Sequence, residues 1–174
     1  LWPVRNNERE WKLELDVAYT GWKSVRNLDT TLSNGLAIAT PANWTSGYTV
    51  MVGTEYKWLN PAPLPDWDVA LRAGYWHSQK AIPDQTFNPA IPDGDNHAVS
   101  TGFGFMCRGH GKFFGVIPCG GSDKTLSPKG LGIDLAYQAI LYEGRTVAGN
   151  VNPTVNGTYR TTLHVGSINL RVNF

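Results

Sequence analysis

Six stretches of the chain alternate between apolar and polar side chains with a period of two. From Trp11 to Trp22, Trp11, Leu13, Leu15, Val17 and Tyr19 share one parity, and Lys12, Glu14, Asp16 and Thr20 the other. From Tyr48 to Trp58, Tyr48, Val50, Val52, Tyr56 and Trp58 oppose Thr49, Gly53, Glu55 and Lys57. Between Trp67 and Cys107 lie two runs: Val69, Leu71, Ala73 and Tyr75 against Asp68, Arg72 and Gly74, then Val99, Thr101, Phe103 and Phe105 against Ser100, Gly102 and Gly104. From Leu131 to Tyr142, Leu131, Ile133, Leu135, Tyr137, Ala139 and Leu141 oppose Asp134, Ala136, Gln138 and Ile140. The last run, Leu163–Phe174, sets Ile168, Leu170, Val172 and Phe174 against Ser167, Asn169, Arg171 and Asn173. Such alternation puts each set on one face of a strand. The stretches between are rich in Pro, Gly, Asn and Asp, with Pro83, Pro89 and Pro92 in one of them, so they are connections. Lys23–Gly47 begins with mixed polarity and reads as a strand extension followed by a loop.

The pattern predicts an all-β chain of about six long strands with long loops. Each run is long enough to cross a bilayer as a tilted strand, which takes ~9–11 residues; strands of soluble domains are usually ~5–6 residues long. Two facings are open. In a soluble barrel or sandwich the apolar faces form the core, whereas in a transmembrane barrel they meet lipid and the polar faces line the lumen. Composition bears on this choice. Charged residues are 17% of the chain, below the roughly 25% of ordinary domains, and there are 19 Gly, 7 Trp and 7 Tyr. Low charge with many glycines and aromatics suits a protein that presents apolar surface to something other than water. The formal charge of +1 leaves no polyanion footprint, so no nucleic-acid partner is expected. No apolar run approaches the ~20 residues of a spanning helix.

Suppose that the final strand runs toward the periplasm. Trp11, Trp58, Trp67 and Phe174 then fall at the periplasmic rim, and Trp22, Tyr48, Tyr75, Trp76, Tyr142 and Tyr159 at or near the outer rim. Two aromatic belts are what amphipathic rings favour at the two membrane interfaces. Residues 25–47, 78–95 and 143–161 become external loops, and 59–66 a short periplasmic turn. The 109–129 connection is also periplasmic and is longer than such turns usually are. The reading is therefore a portion of an antiparallel transmembrane β-barrel with long external loops, located in the bacterial outer membrane. Six strands are too few to close such a barrel, since single-chain examples begin at about eight. Closure is expected to need further strands, from a missing N-terminal part or from another chain.

The polar parity carries Glu14, Asp16, Glu55, Lys57, Asp68, Arg72, Asp134 and Arg171. These serve either as a polar path or headgroup site, or as an ion-pair network that fills a lumen; their mixed signs argue against a selectivity ring. Trp22, Trp76 and Phe87 are candidates for contact with a hydrophobic small molecule, or else for girdle and loop packing. Cys107 and Cys119 close a short loop that an oxidising periplasm allows to be a disulfide. Free thiols are the alternative, and a metal held with His110 is a third, although the spacing fits no strong zinc pattern. Asp93 and Asp95 in PDGDN fit a turn better than a calcium loop. The four histidines share no spacing, and no triad order, phosphate loop or dinucleotide fingerprint occurs, so neither an enzyme nor a cofactor is expected.

Several pieces together resemble one family. They are DVAYTGW (Asp16–Trp22), NWTSGYTVMVGTEYKW (Asn43–Trp58), WDVALRAGYWHSQKAIPDQTFNPAIPDGDNHAVSTGFGF (Trp67–Phe105), GIDLAYQAILYEG and the terminal SINLRVNF. They look like the outer-membrane long-chain fatty-acid and aromatic-hydrocarbon transport proteins of FadL/TodX type. The resemblance covers nearly the whole chain and corresponds to the C-terminal part of the family's longer chain, so residues 1–174 read as one C-terminal barrel segment. The sequence departs from the family at Asn96, where relatives often have Arg, and in the 109–129 insertion with its two cysteines. The resemblance implies passive diffusion of hydrophobic compounds. The residues leave two other readings: a soluble, lipocalin-like lipophile-binding barrel, and a structural outer-membrane protein.

Overall fold

A strand whose two faces differ in polarity needs neighbours in matching register, or its apolar set is scattered over both faces of the sheet. The computed structural model describes residues 2–6, 8–113, 115–119 and 128–173. It has seven main strands: β1 (Trp2–Arg5), β2 (Arg9–Thr20), β3 (Gly47–Leu59), β4 (Trp67–Ser78), β5 (Asn96–Arg108), β6 (Gly130–Tyr142) and β7 (Thr162–Asn173). Each pairs antiparallel with its sequence neighbours, giving one meandering sheet in the order β1 to β7. The six long strands follow the six alternating stretches closely and run 12 or 13 residues each.

Two elements differ from the sequence expectation. The short β1 was not foreseen, because its alternation is too brief to register. Pro3 lacks an N–H, which suits a strand at the sheet edge. Residues 21–46 contain no strand extension. A 3₁₀ turn at Trp22–Ser24 ends β2, held by a hydrogen bond from Ser24 Oγ to the Gly21 carbonyl, and a small hairpin pairs Thr30–Thr31 with Ala37–Ile38.

The apolar parity faces outward. Leu15, Val17, Ile168 and Leu170 are each more than 65% exposed. The opposite, polar face is hollowed, with open depressions of about 480 and 260 Å³ above it. Concavity on the polar side and exposure on the apolar side are the facing of a transmembrane barrel wall, the inverse of a lipocalin. The chain does not close the barrel. β1 covers only Glu10–Leu13 of β2, and among the described residues β2 and β7 are not paired with each other.

The long connections 21–46, 79–95 and 143–161 gather at one end of the sheet and interlock. Ile82, Phe87 and Val147 form a buried cluster against Trp44, Val155 and Tyr159. Arg145 organises it. Its guanidinium lies 4.4 Å from the centre of the Phe87 ring and donates to Asp84 Oδ1 at 2.7 and 2.9 Å, to the Ile82 carbonyl at 2.6 Å and to the Asp93 carbonyl at 3.0 Å. Asp93 also accepts from the Ala81 and Ile82 amides, and Asp95 from the Lys80 amide. The acidic PDGDN element thus ties one external loop to itself and to the next. Asn150 donates to the Asp84 and Phe87 carbonyls, and Thr86 Oγ1 to the Ala42 carbonyl, so all three loops are linked.

Candidate functional site

The strand register arranges the concave face in rows that run across the sheet. Near the short-turn end is a row of Asp68, Met106, Gly132 and Arg171; above it come Glu10, Lys57, Ala70, Gly104, Asp134 and Asn169, and then Lys12, Glu55, Arg72, Gly102, Ala136 and Ser167. Above these lies Glu14, Gly53, Gly74, Ser100, Gln138 and Val165, and above that Asp16, Met51, Trp76, Ala98, Ile140 and Leu163. The face is therefore zoned along its height: charged, then small, then apolar.

The charged zone is one continuous ion-pair belt over five strands. Lys12 lies 3.2 Å from Glu10 and 3.3 Å from Glu55, and Lys57 lies 3.6 and 3.7 Å from the same two carboxylates. Arg72 donates to Glu55 at 2.6 Å and to Asp134 at 2.7 Å. Arg171 completes the belt, with Nε 2.6 Å from Asp134 Oδ2 and Nη2 donating to Oδ1 at 3.0 Å. Gly104 makes room for it: a Cβ there would sit 2.6 Å from Asp134 Oδ1 and 2.9 Å from Arg72 Nη1. Opposite charges in such contact neutralise one another, so the belt rigidifies the wall and sets up no field of one sign.

Of the eight polar residues singled out from the sequence, Glu55, Lys57, Arg72, Asp134 and Arg171 meet in this belt. Asp68 stands apart, paired with Arg108 at 3.1 Å. Glu14 and Asp16 are exposed and have no ion-pair partner among the described residues. Sequence reasoning left Glu10, Lys12 and Arg108 out of the candidate set, although Glu10 and Lys12 share the parity of Glu14 and could have been found by extending it. The apolar row was also missed. Met51, Ile140 and Leu163 sit on a parity otherwise polar, and only the register shows that they adjoin one another and Trp76.

The three aromatic candidates separate. Trp76 lies in the apolar row and borders the smaller hollow, and its buried Nε1 has no hydrogen-bond partner among the described residues. Trp22 is in the first external loop, edge-on to Trp44 with centroids 5.3 Å apart and 42% exposed. Phe87 is 5% exposed, enclosed by Arg145 and Tyr159 in the loop cap.

The rim aromatics divide in the same way. Tyr48 packs against Tyr19 in a tilted pair, ring centres 5.0 Å apart, at the external end of the apolar face. Tyr75 bonds His97 Nδ1 at 2.6 Å on that face, and Trp11, Trp58 and Trp67 lie toward the other end. Trp76 and Tyr142 instead have the parity of the concave face, Tyr159 is in the cap, and Phe174 lies outside the described residues. Asn96 is buried and donates to the Gly94 carbonyl, and its Oδ1 has no partner among the described residues. Cys107 and Cys119 are joined by a disulfide, with Cα atoms 5.6 Å apart.

Long antiparallel strands, an outward apolar face, a charged concave wall and interlocked loops at one end define a portion of an antiparallel transmembrane β-barrel. The chain matches the family "Outer membrane protein transport protein (OMPP1/FadL/TodX)" over residues 3–110, more than half its length, and it belongs to that family. Its fold is similar to the crystal structure of a Pseudomonas aeruginosa FadL homologue, with a TM-score of 0.58 and 21% sequence identity over 94% of this chain. The match covers 30% of the homologue's chain, so this chain spans about a third of its length. No curated protein matches the chain.

Proposed function

We propose that residues 1–174 are the C-terminal segment of a bacterial outer-membrane barrel that passes hydrophobic compounds, long-chain fatty acids or aromatic hydrocarbons, by passive diffusion. Family membership supports the general class. The observation that carries the reading in this chain is the apolar row on the lumen wall, Met51, Trp76, Ala98, Ile140 and Leu163, of which Met51 and Trp76 border a hollow above the charged belt. A lumen wall filled only for structural reasons has no need of such a row. A greasy molecule does, because transfer from water onto apolar surface gains about 25 cal/mol per Å². The charged belt below pairs its charges within itself, Lys12, Lys57, Arg72 and Arg171 with Glu10, Glu55 and Asp134. Strands β2 and β7 pair with the remainder of the barrel.

The test uses the full-length protein in detergent, titrated separately with palmitate and toluene. Saturable binding is expected. Trp76→Asp removes about 60 Å² of contact, roughly 1.5 kcal/mol, and should weaken binding about tenfold. Binding that never saturates, or that ignores Trp76→Asp, would favour the structural outer-membrane reading.

A further inference from the structure

The described residues 109–113 and 115–119 do not hang free from the short-turn end. Lys112–Phe113 pairs with Ile117–Pro118 to make a small hairpin, turned at Gly115 with φ +73°. The Cys119 amide donates to the Gly111 carbonyl at 2.9 Å, and the disulfide fastens Cys119 to Cys107 in β5. Register decides where this clip falls. Cys107 lies opposite Trp67 on one side and Leu131 on the other, in a row of the apolar, outward face. Cys107, Phe113 and Cys119 are buried together, packed against Trp67, Leu131 and Ile133, with Phe113 stacked on Trp67 at 5.7 Å. The hairpin is thus folded back over the lipid-facing wall, two residue rows in from its edge.

A clip made only to cap the wall against water would show polar residues outward. This one shows Val116, 79% exposed, and Ile117, 51% exposed. Lys112 in the same hairpin is exposed, as is Lys129 at the far end of the connection, which carries three lysines against one aspartate. An apolar tip with flanking cations is the make-up of elements that lie in a membrane interface, apolar residues among the upper acyl carbons and lysines at the headgroups.

We propose that the disulfide-clipped hairpin is a membrane-interface anchor. It seats Val116 and Ile117 in the leaflet at the short-turn side and holds Lys112 against anionic phospholipid headgroups. The disulfide keeps the hairpin against the wall, so an unclipped hairpin loses its depth. This inference rests on the outward facing of the apolar set, and the test separates the two.

In the full-length protein, spin labels are placed singly at Val116→Cys, at Leu135→Cys on the lipid-facing wall and at Ala62→Cys in the short turn, and each variant is reconstituted in phosphatidylcholine vesicles with and without one-third phosphatidylglycerol. Collision with a water-soluble nickel complex is compared with collision with oxygen. The label at 116 should meet nickel at least threefold less than the label at 62, and less still with phosphatidylglycerol present. Lys112→Glu, which leaves the disulfide intact, should abolish that lipid dependence. Adding Cys107→Ser and Cys119→Ser should raise nickel access at 116 to the level at 62, with heat-modifiable migration confirming a folded barrel. Nickel access at 116 equal to that at 62, with 135 protected, would overturn the anchor and leave the facing intact. An exposed label at 135 would overturn both. Protection at 116 in native outer membranes but not in phospholipid vesicles would assign the tip to a protein partner and sink the lipid assignment.

Discussion

Leu135 is the sharpest test of the facing. It sits mid-strand in β6, opposite Phe103 in β5 and Ile168 in β7, both exposed apolar residues. Its position near the middle of a 13-residue strand puts it at the depth where lipid tolerates charge least. An arginine on the lipid face of a barrel at the midplane costs about 2–4 kcal/mol. By ~1.4 kcal/mol per decade, Leu135→Arg should lower the folding equilibrium about 30- to 1,000-fold. Gln138→Arg is the matched control, three residues on and of opposite parity. It faces the hollow that Glu14 and Asp16 also border, so the same guanidinium should change stability by less than about 1 kcal/mol. The assay is urea-dependent unfolding of the full-length protein in phospholipid vesicles, followed by heat-modifiable migration. Equal losses from the two variants, or the larger loss from Gln138→Arg, would refute the facing and the register argument behind it.

Other tests address the belt and the cap. Arg72→Met should cost only about 1–2 kcal/mol, below the roughly 3–5 kcal/mol of a broken buried pair, because Glu55 keeps Lys12 and Lys57 and Asp134 keeps Arg171. Arg72→Met with Arg171→Met should then cost more than the two singles together, since Asp134 is left unpaired; strict additivity in urea titrations would argue against a connected belt. Gly104→Val forces side-chain atoms into the space of the Arg72–Asp134 pair and should destabilise by about 1–3 kcal/mol in the same assay. Arg145→Ala should leave barrel stability nearly unchanged but loosen the external loops by roughly 3 kcal/mol, read as at least tenfold faster protease cleavage within 79–95 and 143–161; unchanged cleavage would mean that Arg145 does not hold the cap.

The strands were legible because a two-residue period is local: β2 through β7 could be placed from neighbouring side chains alone, as could the outward set Leu15, Leu71, Leu135 and Leu170. Composition and the length of the runs favoured a membrane wall over a soluble core, and the outward exposure of the apolar set decided between them. Where the alternation is shorter than a few residues, as in Trp2–Arg5, it left no trace. Contacts across the sheet were not legible. That Arg72 meets both Glu55 and Asp134, 62 residues further on, depends on strand stagger, and parity gives only the face. Arg145 reads as an ordinary loop residue, and its role needs three loops in place at once.

The amino-acid pattern by itself thus determined the class of fold, the number of long strands and which side chains share the apolar face, because each of these follows from interactions within a few residues along one strand. The tertiary structure alone decided the zoning of the lumen wall into charged, small and apolar rows. It also decided the closure of the loop cap around Arg145 and the folding of the disulfide-clipped hairpin onto the outer wall. These last depend on register between strands and on loops meeting in space, where the energy lies in pairs of residues far apart in the chain.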